Sequence, residues 1–488
     1  MLFLFGVVII LIILLRIGNG GDSFWKHIMA IPGPRGLPII GTAYYFDSSE
    51  EVFNRERRLM KEYYPIYKRY AFNTALVNII QPDDIHMVLS NSKQNGKSKF
   101  YELLQDWIGL GILTSKDEMW HKRRKLLTPA FHFKILEKFL ETFNKETGEL
   151  VDYIKKECHR PYIDVVKPVT NFTLMSIGES SFGKDLRNEP DCDQYLQAVH
   201  DYGEHFIHRL SRPWLFVPFL YNLTSLKNEH DKTLKILHNF SEKLIKEREK
   251  NYQNKNLDDI NKKHLILLDL MLEAKYNGAQ IDDGGIKDEV NGFVFGGHDT
   301  TGVGLCHCLL LLANEPNIQE EIYQEIVSIC QNPNSPTLSN FADMRFLDRC
   351  VKECLRIFPS IPAISRLLGE EIKTKSGFTI PKGANVRILI FDLHRDSNIW
   401  ERAESFDPDR FLPENVAKRH PYSYIPFSAG SRNCIGQKYA TIELKAALCG
   451  IIKNFKMIAI TKPDEMRHKA DIVLRPACEI RIKFVPRM

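Results

Sequence analysis

The 488-residue chain has no CxxC pair, no long basic stripe, no internal repeat and no low-complexity block. The missing CxxC argues against a zinc ribbon or a thioredoxin-like dithiol. The missing basic stripe argues against nucleic acid as a partner, as does a balance of 66 basic to 61 acidic residues, a net charge of only +5. Without a repeat, the chain reads as one large unit. Its composition, 44% hydrophobic and 26% charged, is enough for a full core.

The 10 cysteines are scattered and fall mostly in apolar helical patterns. In a chain this long they read as free thiols in a reducing compartment. Sequons at Asn171, Asn222 and Asn239 read as chance matches.

Long apolar runs are also scarce after the start. The segment 1–17, MLFLFGVVIILIILLRI, is apolar except for Arg16. At about 1.5 Å per residue it covers about 25 Å, slightly less than a hydrocarbon core of about 30 Å. Arg16 can snorkel to the headgroups and Trp25 suits the interfacial belt. A cleaved signal peptide would want a basic start and a small-residue cleavage site, which the segment lacks. Positive charge at Arg16, Lys26 and Arg35 follows the apolar run, which places the body on the cytoplasmic side. Residues 18–38 then read as a proline- and glycine-rich hinge, since Pro32, Pro34 and Pro38 restrict φ while Gly33 and Gly36 permit bends. Residues 39–488 form the globular body.

Most of the stretch from 120 to 360 shows helical periodicity, with FHFKILEKFLETFNKETGELVDYIKK a long amphipathic example. β-like runs occur at ALVNII (Ala75–Ile80), around GFTIPKGANVRILI and at the C-terminus. The polar NYQNKNLDDINKKH, Asn251–His264, reads as an exposed loop. The fold class is therefore mainly α with minor β, one large domain behind an N-terminal membrane anchor.

Several motifs admit a structural and a chemical reading. Glu289–Pro316 has the length and apolarity of a buried helix, yet Gly296, Gly297, Thr300 and Thr301 interrupt it and Asp299 puts an acid among them. Each mid-helix glycine costs about 1 kcal/mol relative to alanine. Close helix packing and a widening that admits a ligand both account for it. ECLR sets Glu353 and Arg356 on one helix face, by default a weak surface pair. WHKRR sets Trp120 and Arg124 on one face, suited to an anion such as a propionate, or simply a basic face with one buried Trp. His298, His394 and the Cys306–His307–Cys308 triplet invite a metal reading, but the triplet is a poor chelate, because i and i+2 do not share a helix face, and His298 reads as a distal-side polar residue rather than a ligand.

FSAGSRNCIG, Phe427–Gly436, puts one cysteine in a glycine-punctuated loop just before a helix. Gly430 and Gly436 permit tight bends, and Arg432 adds positive charge that would favour a thiolate. A haem iron with one cysteine axial ligand uses a single thiolate in this way. The competing reading is an inert buried thiol.

In order and spacing these motifs resemble the cytochrome P450 superfamily of haem-thiolate monooxygenases. WHKRR is similar to its WxxxR, GGHDTT to its oxygen-activation motif, ECLR to ExxR, FDPDRF to the meander motif and FSAGSRNCIG to FxxGxRxCxG. GHDTT, FPSIPAISR, LHRD and YIPFSAGSRNCIGQKYA further resemble family 4 of that superfamily, particularly insect members.

The resemblance implies that Cys434 ligates the iron of haem b and that Asp299 and Thr300 deliver protons to dioxygen through water. It implies that Trp120, Arg124, Arg366 and Arg432 hold the propionates, with Phe427 and Gly436 also at the haem. Glu353, Arg356 and Arg410 would form a buried cluster, overturning the surface reading of ECLR. Leu110, Leu113, Phe293, Ile361, Ala363, Ile364 and Leu474 would line an apolar substrate pocket. Lys122, Arg123, Lys125, Arg432 and Lys438 would form a basic face for NADPH–cytochrome P450 reductase, with cytochrome b5 a second candidate. Substrates would be fatty acids, hydrocarbons, terpenoid or hormone-like lipids and xenobiotics, hydroxylated or epoxidised at the endoplasmic reticulum membrane. Relatives that esterify a haem methyl do so through a glutamate at the position of Gly296, so here the haem is expected to be non-covalent. Gly296, together with Asn291 and Gly292 where family 4 often shows DT, also puts attack at a chain terminus in question. A reductase-independent isomerase or dehydratase and a non-enzymatic haem sensor are the alternatives; neither needs Asp299 and Thr300.

Overall fold

A computed structural model describes residues 21–37, 40–43, 48–94, 96–253, 266–278, 281–330 and 335–487. The anchor expected at 1–17 lies outside the described residues. So does the loop expected at Asn251–His264, apart from residues 251–253, which end a helix. No helix among the described residues is long and apolar enough to cross a membrane.

The helices that build the site are α1 (Gly21–Ala30), α2 (Ser49–Glu62), α3 (Asp117–Leu127), α4 (Phe133–Glu157), α5 (Val166–Phe182), α6 (Cys192–Leu210), α7 (Ser225–Gln253), α8 (Asp283–Asn314), α9 (Arg345–Ile357) and α10 (Gln437–Asn454). The 32-residue α8 is buried over most of its length, starts at an Asp282 cap bonded to the Gly285 amide, and runs unbroken through its glycines. Both readings of those glycines hold, at different positions. A Cβ on Gly297 would stand 2.5 Å from Ile177 of α5, whereas one on Gly296 would meet nothing within 4 Å. Gly297 is therefore a packing glycine, and Gly296 leaves open space.

The sheet part is small. β1 (Ile66–Ala71), β2 (Thr74–Ile79), β3 (Gly96–Lys97), β4 (Ile364–Leu367) and β5 (Asn385–Ile388) form one sheet in the order β1-β2-β5-β4-β3. Only β2 and β5 pair in parallel. A second sheet joins Ile163–Asp164, Arg481–Pro486 and Phe455–Ala459. The first sheet carries a core of its own around Ile28, Tyr67, Val77, Val386 and Ile388, beside the larger helical core.

The hinge expected over 18–38 needs correction within its described part. Residues 21–30 are helical, and Ile28 and Ile31 are fully buried in the sheet-side core. The Lys68 amide donates to Pro32 O at 2.8 Å, and Lys68 Nζ donates to Met29 O at 3.2 Å. Trp25 packs edge-on against Tyr70, 6.1 Å between ring centroids, so it contacts protein. Burial of one apolar helix face and the Lys68 bonds tie this segment to the body.

Candidate active site

A cavity of about 1030 Å³ runs through the molecule, bounded by α3, α6, α8, the first sheet and the cysteine loop. At its floor lies Cys434. The loop can turn there because Gly430 adopts φ +74°, and a Cβ at that position would stand 1.9 Å from Leu89 O. Only glycine meets both conditions. The Cys434 amide donates to Phe427 O at 2.9 Å, and Arg124 donates to Asn433 O and Oδ1, both at 2.9 Å, which pins α3 to the loop. Cys434 is the exposed one of the ten cysteines, and that surface faces the cavity.

Two details of the loop differ from the sequence reading. Gly436 is not a bend that demands glycine: its φ is −87°, and an added Cβ would make only an ordinary 3.9 Å contact with Cys434 Sγ. What the position supplies is its amide, which favours the anionic sulfur. Nor is Arg432 the cation that assists Cys434. Although its surface opens to the cavity, the sulfur is surrounded by protein at the cavity floor, and that desolvation pushes the thiol up, opposed by the Gly436 amide and by Arg124. The thiolate therefore depends on displacement of its proton by a metal.

Arg432 faces the cavity wall beyond the sulfur. Its guanidinium lies over the Trp120 ring at 4.5 Å, and Nη2 donates to Ser115 O at 2.5 Å. Its Nε and Nη1 are buried without a hydrogen-bond partner. Lys97 on β3 stands directly across from Arg366 on β4. Burial, then repulsion from Arg366 and Arg432, holds Lys97 well below its usual range; burial and Arg366 bring Arg432 down to about 10. Among the described residues none of these three cations is paired with a carboxylate. Like charges across a strand pair destabilise it, so the cluster is a site waiting for anions. A sulfur with an adjacent amide at one point and three uncompensated cations at the wall fit a haem, its iron on Cys434 and its two propionates on the cations.

Trp120, Arg124, Arg366, Phe427, Leu113, Phe293, Ile361, Ala363, Ile364 and Thr300 all line the cavity. Leu110 and Leu474 are corrections. Leu110 is 44% exposed and lies off the cavity, its amide held by Asp288. Leu474 is fully buried in the core, and the C-terminal turn reaches the cavity through Ala470, Asp471 and Ile472. Thr300 Oγ1 donates to Gly296 O at 2.7 Å, whereas Asp299 sits behind the wall and accepts from Arg475 at 2.8 Å.

Next to the cysteine loop, Glu353 and Arg356 are fully buried and form two parallel bonds at 2.7 and 2.8 Å. Arg410 Nε approaches Glu353 Oε1 at 3.3 Å, and the Asp407 amide donates to that oxygen at 3.0 Å. Arg356 also donates to His394 O at 2.8 Å. The ECLR pair is thus not a surface pair.

The expected basic face loses two members. Arg123 is buried and faces Glu289 at 3.7 Å, and Arg432 is turned inward, leaving Lys122, Lys125 and Lys438 exposed. His298 is fully buried, with Nδ1 against Val294 O at 2.6 Å, and His307 meets His468 at 3.0 Å. Among the described residues no group of three or more His, Cys, Asp or Glu side chains is placed to share a metal ion. Lys97, Asp471 and Arg475 were not anticipated, since no motif marks them and their partners are distant in sequence.

A lone cysteine at the floor of a deep, mostly apolar cavity, with a cationic cradle and a threonine in the facing helix, defines the site of a haem-thiolate monooxygenase. Comparison with known proteins agrees: the cytochrome P450 family model matches residues 31–484, and the chain belongs to that family. It is 35% identical to cytochrome P450 4c3 of Drosophila melanogaster, over 98% of this chain and 93% of that one. It is 33% identical to cytochrome P450 4c21 of Blattella germanica, over 98% and 97%. It is 34% identical to human cytochrome P450 4V2, over 99% and 94%. The chain is thus a family 4-like oxidoreductase that uses cysteine-ligated haem, dioxygen and NAD(P)H-derived electrons from a redox partner, acting on lipophilic substrates.

Proposed function

We propose that this protein hydroxylates or epoxidises lipophilic substrates, with fatty acids, hydrocarbons and terpenoid or hormone-like lipids foremost, using electrons from NADPH–cytochrome P450 reductase. The observation that carries this reading is one continuous cavity that joins the Cys434 sulfur to Thr300 and to apolar walls at Phe293, Ile361 and Ile364. Bound haem supplies the activation of dioxygen. Cys434 holds the iron, and Lys97, Arg366 and Arg432 with Arg124 and Trp120 hold the propionates. Thr300 orients water, and Asp299 is the proton donor to it. Glu353, Arg356 and Arg410 hold the segment behind the cysteine loop rigid. The apolar walls exclude water and supply affinity with little chemical discrimination. Lys122, Lys125 and Lys438 offer rim charges that speed encounter with an acidic reductase or cytochrome b5.

Reconstitution with haem, reductase and NADPH, offering fatty acids of graded length beside xenobiotics, tests the reading. Oxygenated lipid supports it; turnover confined to bulky xenobiotics would remove the lipid assignment. Two variants bear on the haem. In the wild type the haem leaves into acidified organic solvent. In Gly296→Glu the added side chain has open space. Turnover with reductase, NADPH and dioxygen would supply the two-electron oxidation that exchanges a haem methyl C–H bond for an ester C–O bond to the carboxylate, and most of the haem then resists extraction. Lys97→Met removes one charge-assisted contact and weakens haem retention about tenfold, read by transfer to apomyoglobin.

We also place the body against the endoplasmic reticulum membrane, on its cytoplasmic side, behind the anchor at 1–17. Phe219 and Leu223 are each 71% exposed between α6 and α7, close to cavity-lining Val217 and Leu220. Phe219→Trp in the full-length protein should be quenched by brominated lipid. Absence of added quenching would contradict this orientation.

A further inference from the structure

One wall of the cavity is a loop fixed at both ends. Before it, the short helix Gln105–Ile108 buries Trp107 against Phe295 of α8 and Tyr202 of α6, at 5.0 and 4.7 Å between ring centroids. After it, Ser115 O accepts from Arg432. Between these points the chain closes on itself. Thr114 Oγ1 donates to Gly109 O at 2.6 Å, and the Ser115 amide donates to Gly111 O at 2.9 Å. Ile112 and Leu113, inside this turn, line the cavity.

Two amides of the turn are left for α8 to satisfy. Asp288 accepts from the Leu110 amide at 2.8 Å, and Glu289 Oε2 accepts from the Ile112 amide at 3.1 Å. Glycine makes the approach possible. Gly109 has φ +50°, and a Cβ there would stand 1.8 Å from Asp288 Oδ1. A Cβ on Gly111 would stand 3.1 Å from Asp288 O and 3.3 Å from Glu289 Oε2. The loop backbone therefore lies directly on the two acids.

The acids hold different parts of the wall. Asp288 holds Leu110, which lies off the cavity, whereas Glu289 holds Ile112, which lines it. Glu289 is fully buried, and Gly292 and Phe293, three and four residues along the same helix face, also line the cavity. Its Oε1 makes no hydrogen bond among the described residues and faces Arg123 Nε of α3 at 3.7 Å. Burial, opposed by the Ile112 amide and Arg123 and reinforced by Asp288, brings the Glu289 carboxyl up to about 7. Charged or protonated, the side chain keeps an oxygen for the Ile112 amide. A carboxyl is costly to bury, and the hydrogen bond this one makes goes to the backbone of the substrate wall.

We propose that Glu289 is a specificity-determining positioning residue. It fixes Ile112 and, through the turn, Leu113, and so sets the length and width of ligand that the cavity accepts. The proposal rests on the reading of the cavity as substrate space above a haem on Cys434, and its test separates the two.

The full-length holoenzyme is compared as wild type, Glu289→Gln, Glu289→Leu and Gly111→Ala. The probes are imidazole and 1-decylimidazole in mildly alkaline buffer, where the rings are uncharged. Their ring nitrogen takes the open side of the haem iron and shifts its main absorption band, so no turnover is needed. Glu289→Leu orphans the Ile112 amide; affinity for 1-decylimidazole falls about tenfold, while that for imidazole, too small to span the wall, stays unchanged. Hydrogen exchange over residues 109–113 speeds up in the same variant. Glu289→Gln keeps an acceptor at the same reach and behaves as wild type, although Arg123 loses its carboxylate in both variants. Gly111→Ala pushes the loop off α8 and reproduces Glu289→Leu from the other side; it decides the matter by the same comparison if Glu289→Leu does not fold. Equal affinity of wild type and Glu289→Leu for 1-decylimidazole overturns the proposal, and so does a Glu289→Gln as impaired as Glu289→Leu. Equal weakening of both probes also overturns it, since the residue would then be merely structural. If neither probe shifts the band of the wild type, the cavity reading itself falls and the proposal with it.

Discussion

Cys434→Ser removes the red-shifted carbon monoxide spectrum of a thiolate-bound haem and lowers monooxygenase turnover by about a thousandfold or more. No other cysteine can substitute: of the other nine, six are buried and three half-buried, and none lines the cavity. The fold should survive, because serine preserves the small side chain and the Phe427 O bond is made by the backbone. Circular dichroism and size exclusion of the variant check that point. A pH dependence accompanies the role. Desolvation at the cavity floor holds the thiol above its usual range, so the metal-free protein carries a protonated sulfur at neutral pH. Iron must displace that proton, and haem affinity of the apoprotein therefore rises with pH until the thiol titrates. Cys434→Ser loses that slope. Retention of the spectrum in the variant would remove Cys434 as the ligand.

The second large effect lies behind the loop. Glu353→Gln leaves the buried guanidiniums of Arg356 and Arg410 without their carboxylate and costs about 3–5 kcal/mol. Burial pushes Glu353 up even against two guanidiniums, a sign of how little water reaches the cluster. Arg356 also carries the His394 and Ser405 carbonyls, at 2.8 and 3.3 Å, so the loss spreads into the segment from His394 to Asp407. Urea denaturation of the haem-loaded protein should show the lowered midpoint, with a smaller haem-loaded fraction on purification. Replacing Glu353, Arg356 and Arg410 together by apolar residues costs less than Glu353→Gln alone, since no lone buried charge remains in the cluster. Equal costs for the single and triple variants would contradict this description of the cluster.

What could be read from the chain divides along a physical line. The cysteine loop and ECLR are local: residue type and spacing over a few positions carry the chemistry, and the structure puts Cys434 at the cavity floor and Glu353 against Arg356. Lys97 was hidden because its meaning depends on lying across from Arg366, a strand register between segments far apart in sequence. The Asp299 partner was hidden in the same way, since Arg475 comes from the C-terminal turn. The C-terminal turn was the right segment in the wrong phase: Ile472 faces the cavity while Leu474, equally apolar, packs into the core. Helix α1 was missed because proline and glycine after Ala30 dominate the pattern. The apolar face of Phe24, Trp25 and Ile28 is short, and tertiary packing decides its fate.

The most direct test of the central claim is isotopic. The full-length protein, loaded with haem and supplied with reductase, NADPH and a fatty-acid panel, is run under heavy-oxygen dioxygen in ordinary water. If the cavity above Cys434 is a monooxygenase site, product carries a single labelled oxygen atom and its formation requires NADPH. Product with oxygen from water, or product formed without NADPH and dioxygen, would contradict the account.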